Sequence, residues 1–329
     1  MVNDYKYGTA SFVMPHWRKD NGLSKVHLEE AICSVELQTD SNWNIIIIDD
    51  CSTCHEAIDY LDILKERLKD KLIVIKTKKN LGSGIARNVG IEWAYQHNSP
   101  IILFLDADDI SHPKRLEMVR KHFMINPKTN VVYSTFQVID EYGKRVEDKD
   151  IALSIREIME GHKVSVVQGE NAWIKIATEK NYTNLTSATA VRTDLAYETP
   201  FPDVRVSEDA HTWLRYGAHK GEFIYEPSIP SLYRIPTSTE SASRERLENF
   251  CARKIKVDTD GFMEAFNIAL KNGNVKEEDR KELLVRFYIK LAESISLAGA
   301  AQQKEELLKK SREIHPDLWE NLARKKGLI

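Results

Sequence analysis

Leu103-Phe-Leu-Asp106-Ala107-Asp108-Asp109 decides how this chain is read. It closes a continuous apolar run, Pro100 to Leu105, of the kind expected of a strand buried on both faces. Such strands belong to parallel sheets, whose crossover helices cover both sides. The strand runs straight into three clustered carboxylates. Like charges a few ångström apart raise one another's pKa unless a cation neutralises them. Hard divalent ions such as Mg²⁺ or Mn²⁺ take oxygen ligands and keep waters and substrate phosphates as the rest of their shell. Asp106, Asp108 and Asp109 are therefore candidate metal ligands. Capping of a helix near Pro113 by Asp109 or Ser111 is the competing account. It explains one acid and leaves two.

The same alternation extends on both sides. Thr9 to Met14 reads as a strand stopped by Pro15. Ser24 is a candidate N-cap, followed by Leu28, Ala31, Ile32 and Val35 at helical spacing. Trp43 to Ile48 is a second buried strand and ends in Asp49-Asp50. Ile58, Leu61, Leu64 and Leu68 mark a helix, Leu72 to Ile75 a strand, and Ile85 to Gln96 a helix. Val131 to Ile139 returns to strand, with a turn at Glu141-Tyr-Gly-Lys144. This pattern predicts an α/β fold with a mostly parallel central sheet flanked by helices. Ligands in such folds gather at the carboxyl ends of the strands, where Asp49, Asp50, Asp106, Asp108 and Asp109 all stand.

Two further stretches carry chemistry. Asn80-Leu-Gly82-Ser-Gly84-Ile-Ala-Arg87-Asn88-Val-Gly90 is a glycine-bearing loop entering a helix, without the glycine spacing of a Rossmann fingerprint. An arginine in the first helical turn opposes the macrodipole, so Arg87 is expected to hold a phosphate or a clustered aspartate. Ser207-Glu208-Asp209 opens a helix bearing Trp213 and Leu214. Capping by Ser207, with acids favouring the helix start, accounts for this stretch taken alone better than function does. From about 246 onward the chain reads as helices, with Leu283, Leu284, Phe287 and Leu291 on one stripe. Every motif precedes them, so they are expected to lie outside the chemistry and to shape an acceptor site or a homo-oligomer contact.

Composition narrows the alternatives. The chain has 329 residues, 42% hydrophobic, with a net charge of -3. That balance argues against a generic nucleic-acid binder. No apolar run approaches the roughly 20 residues of a membrane helix. The start, MVNDYKYGTA, lacks a signal-peptide pattern. The expectation is a cytoplasmic protein, with peripheral membrane attachment left open. Cys51-Ser-Thr-Cys54-His55 has the spacing of a haem attachment site, a chemistry that needs export, so two small loop residues are the simpler account. Asn181-Tyr-Thr183 and Asn184-Leu-Thr186 match glycosylation acceptors by chance on that reading.

Taken together, six elements in order resemble the GT-A glycosyltransferases of family 2, inverting enzymes that use nucleotide-sugar donors. Ala10 to Pro15 is similar to the family's opening strand, and Ile47-Ile-Asp49-Asp50-Cys-Ser52 to its V-D-D-G-S element. Asn80 to Gly90 resembles N-x-G-x-x-x-A-R-N-x-G, and Asp106-Ala107-Asp108-Asp109 the metal motif. Asn184 to Arg192 resembles the strand before the acceptor site, and Ser207-Glu208-Asp209 the E-D motif. The resemblance implies a GT-A catalytic domain over 1–245, with a nucleotide-sugar half at 1–140 and an acceptor-side half at 141–245. A C-terminal helical extension follows over 246–329.

By the same resemblance Pro15, His16, Trp17 and Asp50 sit where the base is gripped. Arg87 approaches the base or diphosphate. Asp106, with Ala107 beside it, and Asp108 contact donor and metal, Asp109 stands next to them, and Asp209 is the catalytic base with Glu208 its rival. His16-Trp17-Arg18 departs from the usual Thr-Tyr-Asn, and Cys51 replaces a glycine. Tyr233-Arg234-Ile-Pro236 has proline where histidine often stands, so the metal is expected to lack a histidine ligand, while Arg234 and Ser238 meet the diphosphate. The implied cofactor is Mn²⁺ or Mg²⁺. The donor is implied to be a nucleotide-sugar, most often UDP-linked, and the acceptor a glycan, a lipid-linked sugar, a protein or a small molecule. A nucleotidyltransferase is the alternative enzyme, but it would place a glycine-rich basic loop after the first strand, where Pro15-His16-Trp17 stands. A non-catalytic nucleotide-sugar-binding protein is the other alternative.

Overall fold

The computed structural model describes residues 5–6, 8–19, 23–179, 183–235 and 249–329. Asn181, Pro236, Ser238 and the boundary expected at 245/246 lie outside them. The chain forms two compact units that interleave in sequence. The first is Met1–Ile151, Asn184–Arg205 and Phe223–Ser241; the second is Ala152–Thr183, Val206–Glu222 and Ala242–Ile329. The segment expected to form an acceptor-side half is thus shared between both.

The strands of the first unit are β1 (Ala10–His16), β2 (Trp43–Asp49), β3 (Leu72–Lys76), β4 (Ile101–Phe104), β5 (Thr129–Tyr133), β6 (Phe136–Ile139), β7 (Thr189–Arg192), β8 (Glu222–Tyr225) and β9 (Ser231–Arg234). Its main sheet runs β3-β2-β1-β4-β7-β5-β8. The β3 to β4 half is parallel, and β7 runs antiparallel to both β4 and β5. Strands β6 and β9 pair in parallel as a separate ribbon.

The helices of the chain are α1 (Ser24–Glu36), α2 (His55–Leu68), α3 (Ser83–Gln96), α4 (Arg115–Ile125), α5 (Leu153–Val164), α6 (Ala172–Thr178), α7 (Thr193–Glu198), α8 (Glu208–Ala218), α9 (Phe250–Lys271), α10 (Arg280–Leu297), α11 (Ala301–Ile314) and α12 (Pro316–Lys325). The α/β architecture read from the sequence is present. Ile45 to Ile48 are fully buried, as both-face coverage demands. Phe12, Met14, Ile45, Ile47, Leu61 and Leu103 share one apolar cluster, while Val13 and Ile48 point to the face that α3 covers.

Three local expectations change. The strand expected over Val131 to Ile139 is two strands in different sheets. Ser134 N donates to Ala188 O and Thr135 O accepts from Ser231 N, both at 3.1 Å, so the backbone at the break bonds to other segments. Ser24 is the first residue of α1 rather than its cap. Neither Asp109 nor Ser111 caps α4, whose N-cap is Lys114.

The second unit is helical. Gly217 of α8 lies against α6 so closely that a Cβ would stand 2.7 Å from Trp173 N. Trp173, Phe262 and Phe287 join α6, α9 and α10 in an aromatic core, with Phe262 and Phe287 stacked at 4.5 Å. Leu283, Phe287 and Leu291 of the expected stripe are buried. No helix among the described residues is long and apolar enough to cross a membrane.

Candidate active site

Asp50, at the end of β2, is buried and organises the glycine-bearing loop. Its Oδ1 accepts from Leu81 N at 2.8 Å and Thr77 Oγ1 at 3.0 Å; its Oδ2 accepts from Gly82 N at 2.7 Å. Bonds to a charged acceptor contribute about 1.5–3 kcal/mol each, enough to fix the loop. Arg205 closes it from outside, donating to Asn80 Oδ1 at 2.7 Å and Asn80 O at 2.9 Å. Gly82 has φ +91° and a Cβ there would meet the Arg205 guanidinium at 2.6 Å, so the position requires glycine. Cys51, where the family's glycine stands, keeps a left-handed backbone at φ +62°. The loop therefore follows a glycine's path at a cost of about 1–2 kcal/mol.

At the end of β1, His16 and Trp17 differ. His16 is buried, its Nδ1 3.6 Å from Asp49 Oδ1. Burial alone would raise the Asp49 carboxyl, but His16 and the Ser52 hydroxyl and amide outweigh it and hold it below its usual value. Trp17 is 38% exposed and presents its ring to solvent, whereas Pro15 is half-buried within the strand. The Arg18 amide donates to Ser52 Oγ at 2.9 Å, tying the loops after β1 and β2 together.

The acidic turn after β4 is built from three carboxylates in three environments. Asp106 accepts from Arg87 Nη2 at 2.7 Å, one of the two kinds of partner expected, although α3 begins at Ser83 and Arg87, its fifth residue, lies past the first turn. Arg87 is buried, with Phe201 below its guanidinium at 5.4 Å. Asn88 locks that contact by exchanging two 2.8 Å bonds with the Phe201 backbone. Asp108 is half-buried; burial first and Asp106 second push its carboxyl above the usual range, while Arg18 and His27 oppose them.

Asp109 is fully buried and bonded to Ser187 Oγ on one oxygen and to Arg234 N at 2.8 Å on the other. Burial, then Asp108 and Asp106, raises it well above normal. Ala107 is buried within the turn. The three acids therefore do not form one ligand set, as the sequence suggested. Among the described residues no group of three or more His, Cys, Asp or Glu side chains is arranged to hold a metal.

Arg234, expected at the diphosphate, is buried. Its Nε donates to Asp108 O at 2.7 Å, Nη1 to Asp140 O at 3.0 Å and Nη2 to Glu30 Oε2 at 2.6 Å. Its observed work is to clamp the acidic turn.

Sequence reasoning missed Ser187, which also accepts from Asp106 N at 3.0 Å, and Glu30. It missed Arg115, buried at the start of α4, whose Nη2 donates to Phe104 O at 3.0 Å and Thr189 O at 2.9 Å. Burial pulls Arg115 down to about 9 and Asp109 opposes that. The signal that singled out Arg87, a cation opposing the macrodipole, applies more directly to Arg115, the first residue of α4.

In the second unit, Glu208 and Asp209 are half-buried in the first turn of α8. Asp209 Oδ1 accepts from Ala210 N at 2.7 Å. Ser207 holds the N-cap position with φ +54°, yet its side chain makes no cap bond. The capping account thus loses its serine.

Comparison with known proteins places this geometry. The family described as Glycosyl transferase family 2 matches residues 11–182. An uncharacterized glycosyltransferase of Methanocaldococcus jannaschii is 28% identical over 248 residues, 74% of this chain and 77% of that protein. Against several other curated relatives the chain spans less than half of their length. Among solved structures, Staphylococcus aureus TarS 1–349 in complex with UDP-GlcNAc has a TM-score of 0.56 at 16% identity, over 97% of this chain and 92% of its own. The mannosyltransferase PcManGT of Pyrobaculum calidifontis, in complex with GDP-Man and Mn²⁺, has a TM-score of 0.54 at 15% identity, over 99% and 85%.

Proposed function

Because the chain belongs to glycosyl transferase family 2, and is a glycosyltransferase of GT-A architecture, we propose that it binds a nucleoside-diphosphate sugar at the carboxyl ends of β1, β2 and β4 and transfers the sugar, with inversion, to an acceptor hydroxyl. The observation that carries this reading is the Arg87–Asp106 pair. It fixes a guanidinium beside the acidic turn, at the strand ends where open α/β sheets bind ligands.

Trp17 is the exposed ring suited to stack on a base. Asp50 serves mainly by holding the Asn80–Gly82 loop. A carboxylate has about four acceptor sites, and Leu81 N, which reaches both oxygens, Gly82 N and Thr77 Oγ1 already occupy those of Asp50.

The donor set fits a divalent ion. Asp108, crowded by burial and by Asp106, is the carboxylate most relieved by a cation. Mg²⁺ and Mn²⁺ sites of this kind need only one or two protein carboxylates beside substrate phosphates. Asp108 and Asp106 would hold the ion, which when bound would neutralise charge on the departing diphosphate. Asp109, Ser187 and Arg234 keep the turn in shape. Asp209 takes the proton of the acceptor hydroxyl as the new bond forms, a step that needs contact within about 3 Å.

UDP-GlcNAc and GDP-mannose, the ligands named for the two structural neighbours, are the first donor probes, with UDP-glucose added. Each is titrated into the protein with Mn²⁺ and with excess EDTA while unfolding is followed. A fitting donor at about 100 times its Kd stabilises by about 2.7 kcal/mol, and EDTA should abolish most of that. Equal stabilisation in EDTA would refute the metal, and absence of any response would refute the donor class.

A further inference from the structure

The face of α9 that meets α8 is charged where an apolar residue would be ordinary. Lys254 and Asp258, one helical turn apart, are each only 6% exposed. Lys254 Nζ donates to Asp258 Oδ2 at 2.6 Å and to Ser207 Oγ at 3.2 Å. Further along the same face, a Cβ on Gly261 would meet the His211 ring at 2.9 Å. Glu264 stands 3.5 Å from Arg215 and 3.6 Å from His211. Helix α9 is therefore fitted along α8 from Lys254 to Glu264.

Stability does not account for this pair. A buried ion pair is often no better than apolar side chains of the same volume. An ammonium beside a helix N-terminus is also unfavourable to the macrodipole. What the pair does accomplish is geometric. Ser207 is a non-glycine residue at φ +54°, a conformation that persists only where the surroundings over-determine it. Its torsions set the direction in which Glu208 and Asp209 leave the turn. The Lys254 bond holds its side chain, and Asp258 holds Lys254.

We propose that Lys254 and Asp258 are positioning residues for sugar transfer, fixing the turn at Ser207 and through it the carboxylates of Glu208 and Asp209. This rests on the reading of Asp209 as the base. It also makes the C-terminal helices, expected from motif positions to lie outside the chemistry, part of it.

The test uses the full chain and whichever of UDP-GlcNAc, UDP-glucose or GDP-mannose gives the highest rate of nucleoside diphosphate release. Lys254→Met should leave the donor KM and the affinity for UDP or GDP within twofold, and lower kcat by about 10–100-fold, the scale of a misplacement near 1 Å. Lys254→Arg should recover most of that loss. In an Asp209→Asn background, Lys254→Met should cost nothing further. A wild-type kcat for Lys254→Met, or its full cost added on top of Asp209→Asn, overturns the proposal. Should Lys254→Met fail to fold, Ser207→Ala removes only the hydroxyl, and a wild-type kcat there overturns it equally. Asp209→Asn with normal turnover refutes the base and the positioning together. A normal Lys254→Met beside an inactive Asp209→Asn refutes the positioning alone.

Discussion

Replacing Gly90 by alanine sets two ordinary effects against each other. Gly90 lies inside α3, where alanine normally adds about 1 kcal/mol. Here its Cβ would come 2.6 Å from Val13 Cγ1 and 2.8 Å from Ile48 Cδ1. The Ile48 atom ends a side chain that can rotate. Val13 is β-branched and fully buried in β1, so its methyl cannot swing aside without moving the strand. Ordinary carbon contact is about 3.5–4 Å, so the helix must lift by roughly 1 Å. Overpacking of this kind costs about 1–3 kcal/mol, and after the helical gain the net loss is about 0–2 kcal/mol.

The same lift moves Arg87, three residues earlier, away from Asp106. UDP or GDP affinity should fall severalfold along with stability. Urea unfolding followed by circular dichroism, with nucleotide titration on the same samples, reads both. Val13→Ala opens the space, so the double variant should be more stable than the sum of the singles by about 1 kcal/mol. A Gly90→Ala protein more stable than the parent by about the full 1 kcal/mol of the helical gain would refute the close-approach argument.

Three further outcomes are expected. Asp108→Asn should lower turnover by about 10²-fold and abolish the Mn²⁺ dependence of donor binding, with stability unchanged or slightly raised because a crowded charge is gone; manganese titration and urea unfolding check this. Asp209→Asn, which keeps shape, should lose about 10²-fold or more in turnover with nucleotide affinity nearly intact; a product retaining the donor's anomeric configuration would remove the inverting mechanism. Lys290, buried in α10, is pushed down to about 7 by burial, with Asp258 opposing and Lys254 adding to the shift. The unfolded ammonium keeps its proton to about 10.4, so stability rises with pH between those values. Lys290→Met should flatten that rise and stabilise the fold at pH 6 by roughly 2–4 kcal/mol, measured by urea unfolding at pH 6 and pH 9.

The parallel half of the sheet was legible because strands buried on both faces leave unbroken apolar runs, and the acids were legible because they end those runs. Arg87 was legible as a cation near a helix start, although α3 begins two residues earlier than expected and carries it past the first turn. What stayed hidden depends on contacts between distant segments. Ser187 and Arg234 reach Asp109 from positions 78 and 125 residues away, and nothing local distinguishes Ser187 from any other serine. The break at Ser134-Thr135 was hidden because β-favouring residues continue across it; only the partners of its backbone groups separate β5 from β6. The interleaving of the units leaves no trace in periodicity, which reports one element at a time. Lys254 and Asp258 look like a solvent-facing helical pair, and their burial appears only once α9 lies on α8.

The position of β7 between β4 and β5 bears on how the protein is made. A ribosome delivers β4 and β5 with roughly 60 residues still to come before the strand that separates them, about 3–12 s at 5–20 residues per second. For that interval the nascent chain carries two apolar strand edges facing the same gap, each able to pair with the other or with a neighbouring chain. Slowing translation between Tyr133 and Thr189 should therefore lower the soluble yield, and a chaperone that masks strand edges should restore it.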